Sequence, residues 1–200
     1  MYKIKEVTLS ELNTVVAIHN SAFPDFFLTL LGNSFLKVYY RAVSRYDGSI
    51  LLGCYEDSRL VGFCAASILT KGFNIKLIKS DFFSFAKVGI SLLFTNARAL
   101  KRLYLNLSKS DDDQNDTREY AELLSIGVDT TYQGKGIGKL LLTNLEKYIH
   151  DKGGHKLSLT TDFYNNQKAI GFYQTMGYQT FYDFIAYPNR KMYRLIKTLT

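Results

Sequence analysis

Two hundred residues, 46% hydrophobic, 14% aromatic and 22% charged, suffice for one globular domain with a substantial core, and these fractions exclude an intrinsically disordered chain. Lys and Arg number 25 against 18 Asp and Glu, so the formal charge is +7 and the pI about 9.2, which favours anionic partners without naming the anion.

The opening, MYKIKEVTLSELN, carries Glu6 and Glu11 and no unbroken apolar run, so it lacks the layout of a secretory leader. The most apolar stretch, VGISLLF at 88–94, is far shorter than the roughly 20 residues a bilayer helix needs. A cytoplasmic protein without a transmembrane segment is expected. Residues 2–9 alternate like a strand, and 10–23 read as a helix with Ser10 as N-cap. A second helix follows Pro24 over about 32–46. Residues 49–69 read as a hairpin turning at Asp57 and Ser58, which would set Cys54 opposite Val61 rather than Cys64. No disulfide is indicated, and the cysteines have too few neighbouring ligands for a metal site.

Apolar spacing over 80–107 predicts one long helix with several hydrophobic faces, and the polar run 108–120 reads as an exposed loop. From 121 the pattern is strand (121–128), helix (136–150), strand (155–161), helix (166–176) and two closing strands. A crossover helix between strands implies a locally parallel pair, while the hairpins imply antiparallel edges, so the fold class is α/β with a mixed sheet.

Gly134, Gly136 and Gly138 stand at the start of a helix whose apolar stripe is Ile137, Leu141, Leu145 and Ile149. Glycine costs about 1 kcal/mol relative to alanine inside a helix, so three at its mouth require a reason. Bare glycines at the positive end of a helix let an anionic group approach unpaired N–H groups. A Walker loop does not fit, because Gln133 stands where its first glycine belongs and Leu140 where Ser or Thr should be. The dinucleotide G-x-G-x-x-G pattern fails at Lys139.

The remaining hexapeptide, Gln133-Gly134-Lys135-Gly136-Ile137-Gly138, resembles the Q/R-x-x-G-x-G/A signature of the GNAT acyltransferase superfamily. About thirty residues on, NQKAIGFYQTMGY is similar to that family's N-x-x-A-x-x-F/L-Y-x-x-x-G-F/Y segment, matching at Asn166, Ala169, Phe172, Tyr173, Gly177 and Tyr178. The close resemblance spans 121–184, and the first 70 residues match in element order only. It implies a single domain over 1–200 with a mixed six- to seven-stranded sheet, residues 71–118 being an insertion between strands three and four. It further implies acetyl-CoA as co-substrate, with no metal.

On that resemblance, strands 121–128 and 155–161 part, and the pantetheine arm pairs with backbone near Ile126, Gly127 and Val128. The pyrophosphate meets the amides of Gly134 to Gly138, and Lys135, Lys139 and Lys168 either add charge there or are ordinary solvated lysines. Glu122 takes the position of a glutamate that serves as general base in several members, or is a hydrogen-bonded or salt-bridged structural residue. Tyr173 aligns with the tyrosine assigned as acid to the CoA sulfur, or is packing. Asn166 caps its helix or contacts the pantetheine arm. His19, His150 and His155 lie outside the motifs and read as structural or exposed.

The resemblance places acceptor specificity in 21–36 and in the insertion, where Phe23, Phe26, Phe27, Phe82, Phe83 and Phe85 either wall an acceptor pocket or fill core or a dimer seam. FPDFFLTLLG (23–32) resembles a segment of a bacterial GNAT subgroup. The expected activity is acetyl transfer to the primary amine of a small molecule such as an amino sugar. A protein acetyltransferase and a non-catalytic CoA-binding module are the alternatives. Dispersed basic residues without a nucleic-acid motif argue against nucleic-acid binding, and a homodimer stays open.

Overall fold

The structure is a computed structural model that describes residues 1–108, 116–186 and 188–200. Strand β1 (Tyr2–Glu6) leads through a 3₁₀ turn at Leu9–Glu11 into helices α1 (Leu12–Ala22), α2 (Phe27–Leu30) and α3 (Gly32–Arg45). The expected Ser10 cap is replaced by Thr8. β1 ends early, at Glu6, and the Glu11 carboxylate takes the Thr8 N–H at 2.9 Å while the Glu11 N–H donates to the Thr8 carbonyl at 3.1 Å.

Strands β2 (Ser49–Glu56) and β3 (Arg59–Ser67) form the expected hairpin, with Asp57 at φ 54° in the turn. A bulge shifts the register so that Cys54 faces Gly62 rather than Val61, and both cysteines are free thiols. Alternation then sends Ile50, Leu52 and Cys54 to one face and Leu51 and Tyr55 to the other, so both faces of the hairpin are buried.

The single helix expected over 80–107 is two, α5 (Phe82–Thr95) and α6 (Ala97–Ser108), and a further helix, α4 (Phe73–Ser80), precedes them. Asp81 (φ −137°, ψ 46°) and Asn96 (φ −155°, ψ 64°) leave helical geometry. Short polar side chains favour helix starts over interiors. Asn96 Oδ1 accepts the Ala99 N–H at 3.2 Å, capping α6, and the Asp81 carboxylate receives Arg41 at 2.8 Å from α3. Most of the loop expected over 108–120 falls on residues 109–115, outside the described residues.

Strand β4 (Ala121–Val128), helix α7 (Ile137–Asp151), strand β5 (Lys156–Asp162), helix α8 (Gln167–Thr175) and strands β6 (Gln179–Ala186) and β7 (Arg190–Thr198) complete the chain within a residue or two of expectation. The sheet order is β1-β2-β3-β4-β5-β7-β6, with β4 and β5 the parallel pair and the other pairings antiparallel. Ile137, Leu141, Leu145 and Ile149 bury the α7 stripe against one face, while Val15, Leu36, Tyr40 and Val43 cover the other from α1 and α3.

Candidate functional site

Strands β4 and β5 are paired only through Ala121–Leu157, Glu122–Ser158 and Leu123–Leu159. Beyond that point each follows its other neighbour: Val128 is still opposite Gly62 of β3, and Asp162 still opposite Met192 of β7. The separation begins at a bulge. Leu123 opposes Ala66 and Ser125 opposes Ala65, which leaves Leu124 as an extra residue that bends β4 away. The resulting cleft of about 300 Å³ is lined by Leu123–Ile126, Leu159–Asp162, Asn166, Ala169 and Tyr173, with His19, Phe23 and Phe26 contributed from the N-terminal part. Backbone edges parted inside a sheet leave N–H and C=O groups to be satisfied by a ligand lying between them.

At the end of β4 the chain turns through Gln133 into the glycines. Gly134 and Gly136 have φ of 79° and 78°, left-handed backbone that costs a side-chain-bearing residue about 1–2 kcal/mol. A Cβ built on either meets nothing within 4 Å, so these two glycines are not there for tight packing. Their exposed backbone borders open space. The first intrahelical bond of α7 is Leu140 N–H to the Gly136 carbonyl at 3.0 Å, which leaves the amides of Gly136, Ile137, Gly138 and Lys139 as the helix's unpaired first turn. Gly138 differs: its Cβ would touch the Phe172 ring at 3.7 Å, ordinary contact. Lys135 sits 4.5 Å over the Tyr132 ring, and Lys139 and Lys168 are exposed.

Ile126, Gly127 and Val128 form the end of β4, with Ile126 on the cleft wall and Gly127 buried against α1. Tyr173 projects from α8 into the same cleft and is 9% exposed. Burial, with a smaller contribution from Cys64, pushes its phenol well above the usual tyrosine value, so the hydroxyl stays protonated at neutral pH. Asn166 precedes α8 but does not cap it with its side chain. Its Nδ2 instead donates to Thr161 Oγ1 at 2.6 Å, tying the helix to the end of β5.

Glu122 is engaged elsewhere. Its Oε1 accepts from Arg194 Nη1 at 2.9 Å, with side-chain exposures of 17% and 5%, and it is not among the residues lining the cleft. Arg194 also donates to Ser158 Oγ at 3.1 Å and through Nε to the Tyr182 hydroxyl at 3.0 Å. Burial disfavours its charge, but Glu122, Tyr120 and Tyr182 more than offset this and keep the guanidinium firmly protonated.

His19, read from sequence as structural or exposed, is 1% exposed and lines the cleft. Its Nδ1 shares a 2.7 Å hydrogen bond with the Tyr40 hydroxyl, which lies 3.0 Å from Ser125 Oγ, another cleft residue. Nε2 is buried without a hydrogen-bond partner among the described residues. Desolvation lowers the imidazole pKa to about 4, so the ring is neutral at physiological pH. A pairing across 21 residues of chain leaves no local signal in the sequence.

The six phenylalanines separate. Phe23 and Phe26 line the cleft; Phe27 and Phe85 line a second, apolar cavity of about 220 Å³ between α3 and the insertion. Phe82 and Phe83 face outward, 58% and 87% exposed. Among the described residues no group of His, Cys, Asp or Glu suits a metal ion, and no helix is long and apolar enough to cross a membrane.

The model of the acetyltransferase (GNAT) family matches residues 12–178. No curated protein matches the chain in sequence. Among solved structures, a ribosomal-protein-alanine N-acetyltransferase from Brucella melitensis is similar with TM-score 0.65 and 16% identity, over 98% of this chain and 99% of that one. Arabidopsis thaliana NAA60 in complex with acetyl-CoA is similar with TM-score 0.62 and 18% identity, over 100% and 99%. An aminoglycoside 6'-acetyltransferase type Ii is similar with TM-score 0.63 and 16% identity, over 99% and 97%. At these identities the likeness is one of fold.

Proposed function

The chain belongs to the GNAT acetyltransferase family, and from that premise we propose that it moves the acetyl group of acetyl-CoA to a primary amine of a small molecule seated between β4 and β5. The observation that carries this reading is the open amide cradle at Gly134–Lys139, set at the end of two strands that part after Leu123 and Leu159. Phosphate oxygens approach the amides where no Cβ stands, and the lysines at 135, 139 and 168 add favourable charge at the rim. The pantetheine arm runs along the free edge of Ile126–Val128, as an added strand would.

In the ternary complex the amine nitrogen attacks the thioester carbon, and the C–S bond breaks as the tetrahedral adduct collapses. The Tyr173 phenol, kept protonated by burial, gives its proton to the leaving sulfur. The amine sheds its extra proton to solvent, and its remaining N–H donates to His19 Nε2, a buried acceptor that otherwise lacks a partner. That role requires the tautomer in which Nδ1–H donates to Tyr40 and Tyr40 to Ser125, consistent with the 2.7 and 3.0 Å spacings. Glu122 is a positioning residue on this reading: with Arg194 it ties β4 to β7 at the base of the cleft.

A small acceptor is favoured over an extended peptide because the cleft is bordered by Phe26, with the Arg190 guanidinium 5.1 Å over its ring and ion-paired to Asp162. A protein acceptor is the second reading. A thiol-release screen with acetyl-CoA against amino sugars, polyamines, amino acids and peptides distinguishes them. Turnover confined to peptides refutes the small-molecule assignment; heat protection by acetyl-CoA with no turnover on any amine refutes catalysis.

A further inference from the structure

Helix α5 is apolar on two sides, and the fold covers one of them. Phe85, Val88 and Leu92 turn inward, onto Phe35 and the α3 side of the insertion. On the opposite side Phe82, Phe83, Ile90, Leu93 and Phe94 are 58, 87, 58, 57 and 86% exposed. At about 100° per residue these five, with Ala86 and Gly89, form one continuous outward stripe whose margin is Lys87. Gly89 lies on that stripe with nothing among the described residues within 4 Å of where a Cβ would stand, so the stripe is open at this point. Ile75 of α4 adds another apolar side chain, 63% exposed.

The charge on helices α4 to α6 is almost all of one sign. Over residues 71–108 there are seven basic side chains, Lys71, Lys76, Lys79, Lys87, Arg98, Lys101 and Arg102, and one acid, Asp81, which is consumed by Arg41. Lys76, Lys79, Lys87, Arg98 and Lys101 are exposed and have no acidic partner among the described residues.

We propose that the outward face of α5, flanked by the lysines and arginines of α4 and α6, docks the protein onto the surface of an anionic lipid bilayer. Two observations favour this occupant over a second copy of the chain. A two-fold contact through this face would bring two basic insertions together, which like-charge repulsion opposes. Phe83 and Phe94 also stand 87 and 86% exposed on a convex helix, and acyl chains accept such side chains without a complementary pocket. Fourteen residues of helix span about 21 Å, too short to cross a bilayer but suited to lying in its interface. The proposal stands apart from the acyl-transfer reading, since none of its residues lines the cleft.

The test is co-sedimentation of the full chain with phosphatidylcholine vesicles and with vesicles containing about one-third phosphatidylglycerol. Binding should be at least about tenfold stronger to the anionic vesicles and fall as salt is raised. Phe83→Ser with Phe94→Ser should weaken it at least about tenfold, and Lys76→Glu with Lys79→Glu should abolish the preference for the anionic lipid. All four side chains are exposed, and unchanged melting of the variants checks that they fold. No binding to anionic vesicles overturns the proposal. So does a concentration-dependent dimer that dissociates in the phenylalanine variant while vesicle binding is absent in both.

Discussion

Replacing Glu122 with glutamine separates the two roles open to that residue. The carboxylate holds a guanidinium that is 4% exposed as a whole residue, through a 2.9 Å contact, and Arg194 also donates to Ser158 and Tyr182. Removing one partner of a buried ion pair typically costs about 3–5 kcal/mol. Glutamine keeps an oxygen for the hydrogen bond and loses only the charge, so a cost below that range, roughly 2–3 kcal/mol, is expected. At roughly 2–4 °C per kcal/mol for a chain of this size, Tm should drop by about 4–12 °C. The assay is a thermal melt of both proteins beside acetyl-CoA turnover at a temperature where both are folded. A Tm within about 1 °C of the parent, with turnover down about 100-fold and a shifted pH–rate profile, would refute the positioning role and restore the general base.

Tyr173→Phe should lower kcat about 100-fold or more while changing CoA affinity no more than about threefold, measured by turnover and calorimetry; an equal loss of affinity would make the residue a binding group. For His19, depressed from 6.5 to about 4 in the fold, the unfolded chain binds the extra proton between those values. Stability is therefore undiminished above about pH 6.5 and falls as pH drops toward 4, by up to about 3 kcal/mol. Urea unfolding at pH 7 and 4.5 should show this slope in the parent and a smaller one in His19→Gln. The same variant should raise the acceptor KM more than it lowers kcat, once an acceptor is in hand. Asn96→Ala removes the cap of α6 and should cost about 1 kcal/mol in the same urea assay, with turnover unchanged.

Local chemistry was legible in the chain. The period of α7, the hairpin at Asp57 and the β4-α7-β5 crossover each follow from residues close together in sequence. The breaks at Asp81 and Asn96 were also written there, as N-cap residues, but hydrophobic spacing continuing on both sides masked them. One-residue bulges were not legible: neither the shift at Cys54–Tyr55 nor the extra Leu124 alters the apolar pattern enough to be seen. In the site, the glycine loop was readable because left-handed backbone favours glycine. The partners of Glu122 and His19 were not, since Arg194 lies 72 residues from the one and Tyr40 21 from the other, and only the sheet and the α1–α3 packing bring them together.

The most direct measurement is an amide spectrum of the labelled protein during titration with coenzyme A. The account predicts saturable shifts at Gly134, Gly136, Ile137 and Gly138 together with Ser125–Val128, since these are the bare helix amides and the free edge of β4. Saturable binding that leaves those amides unmoved, or no binding at all, would contradict it.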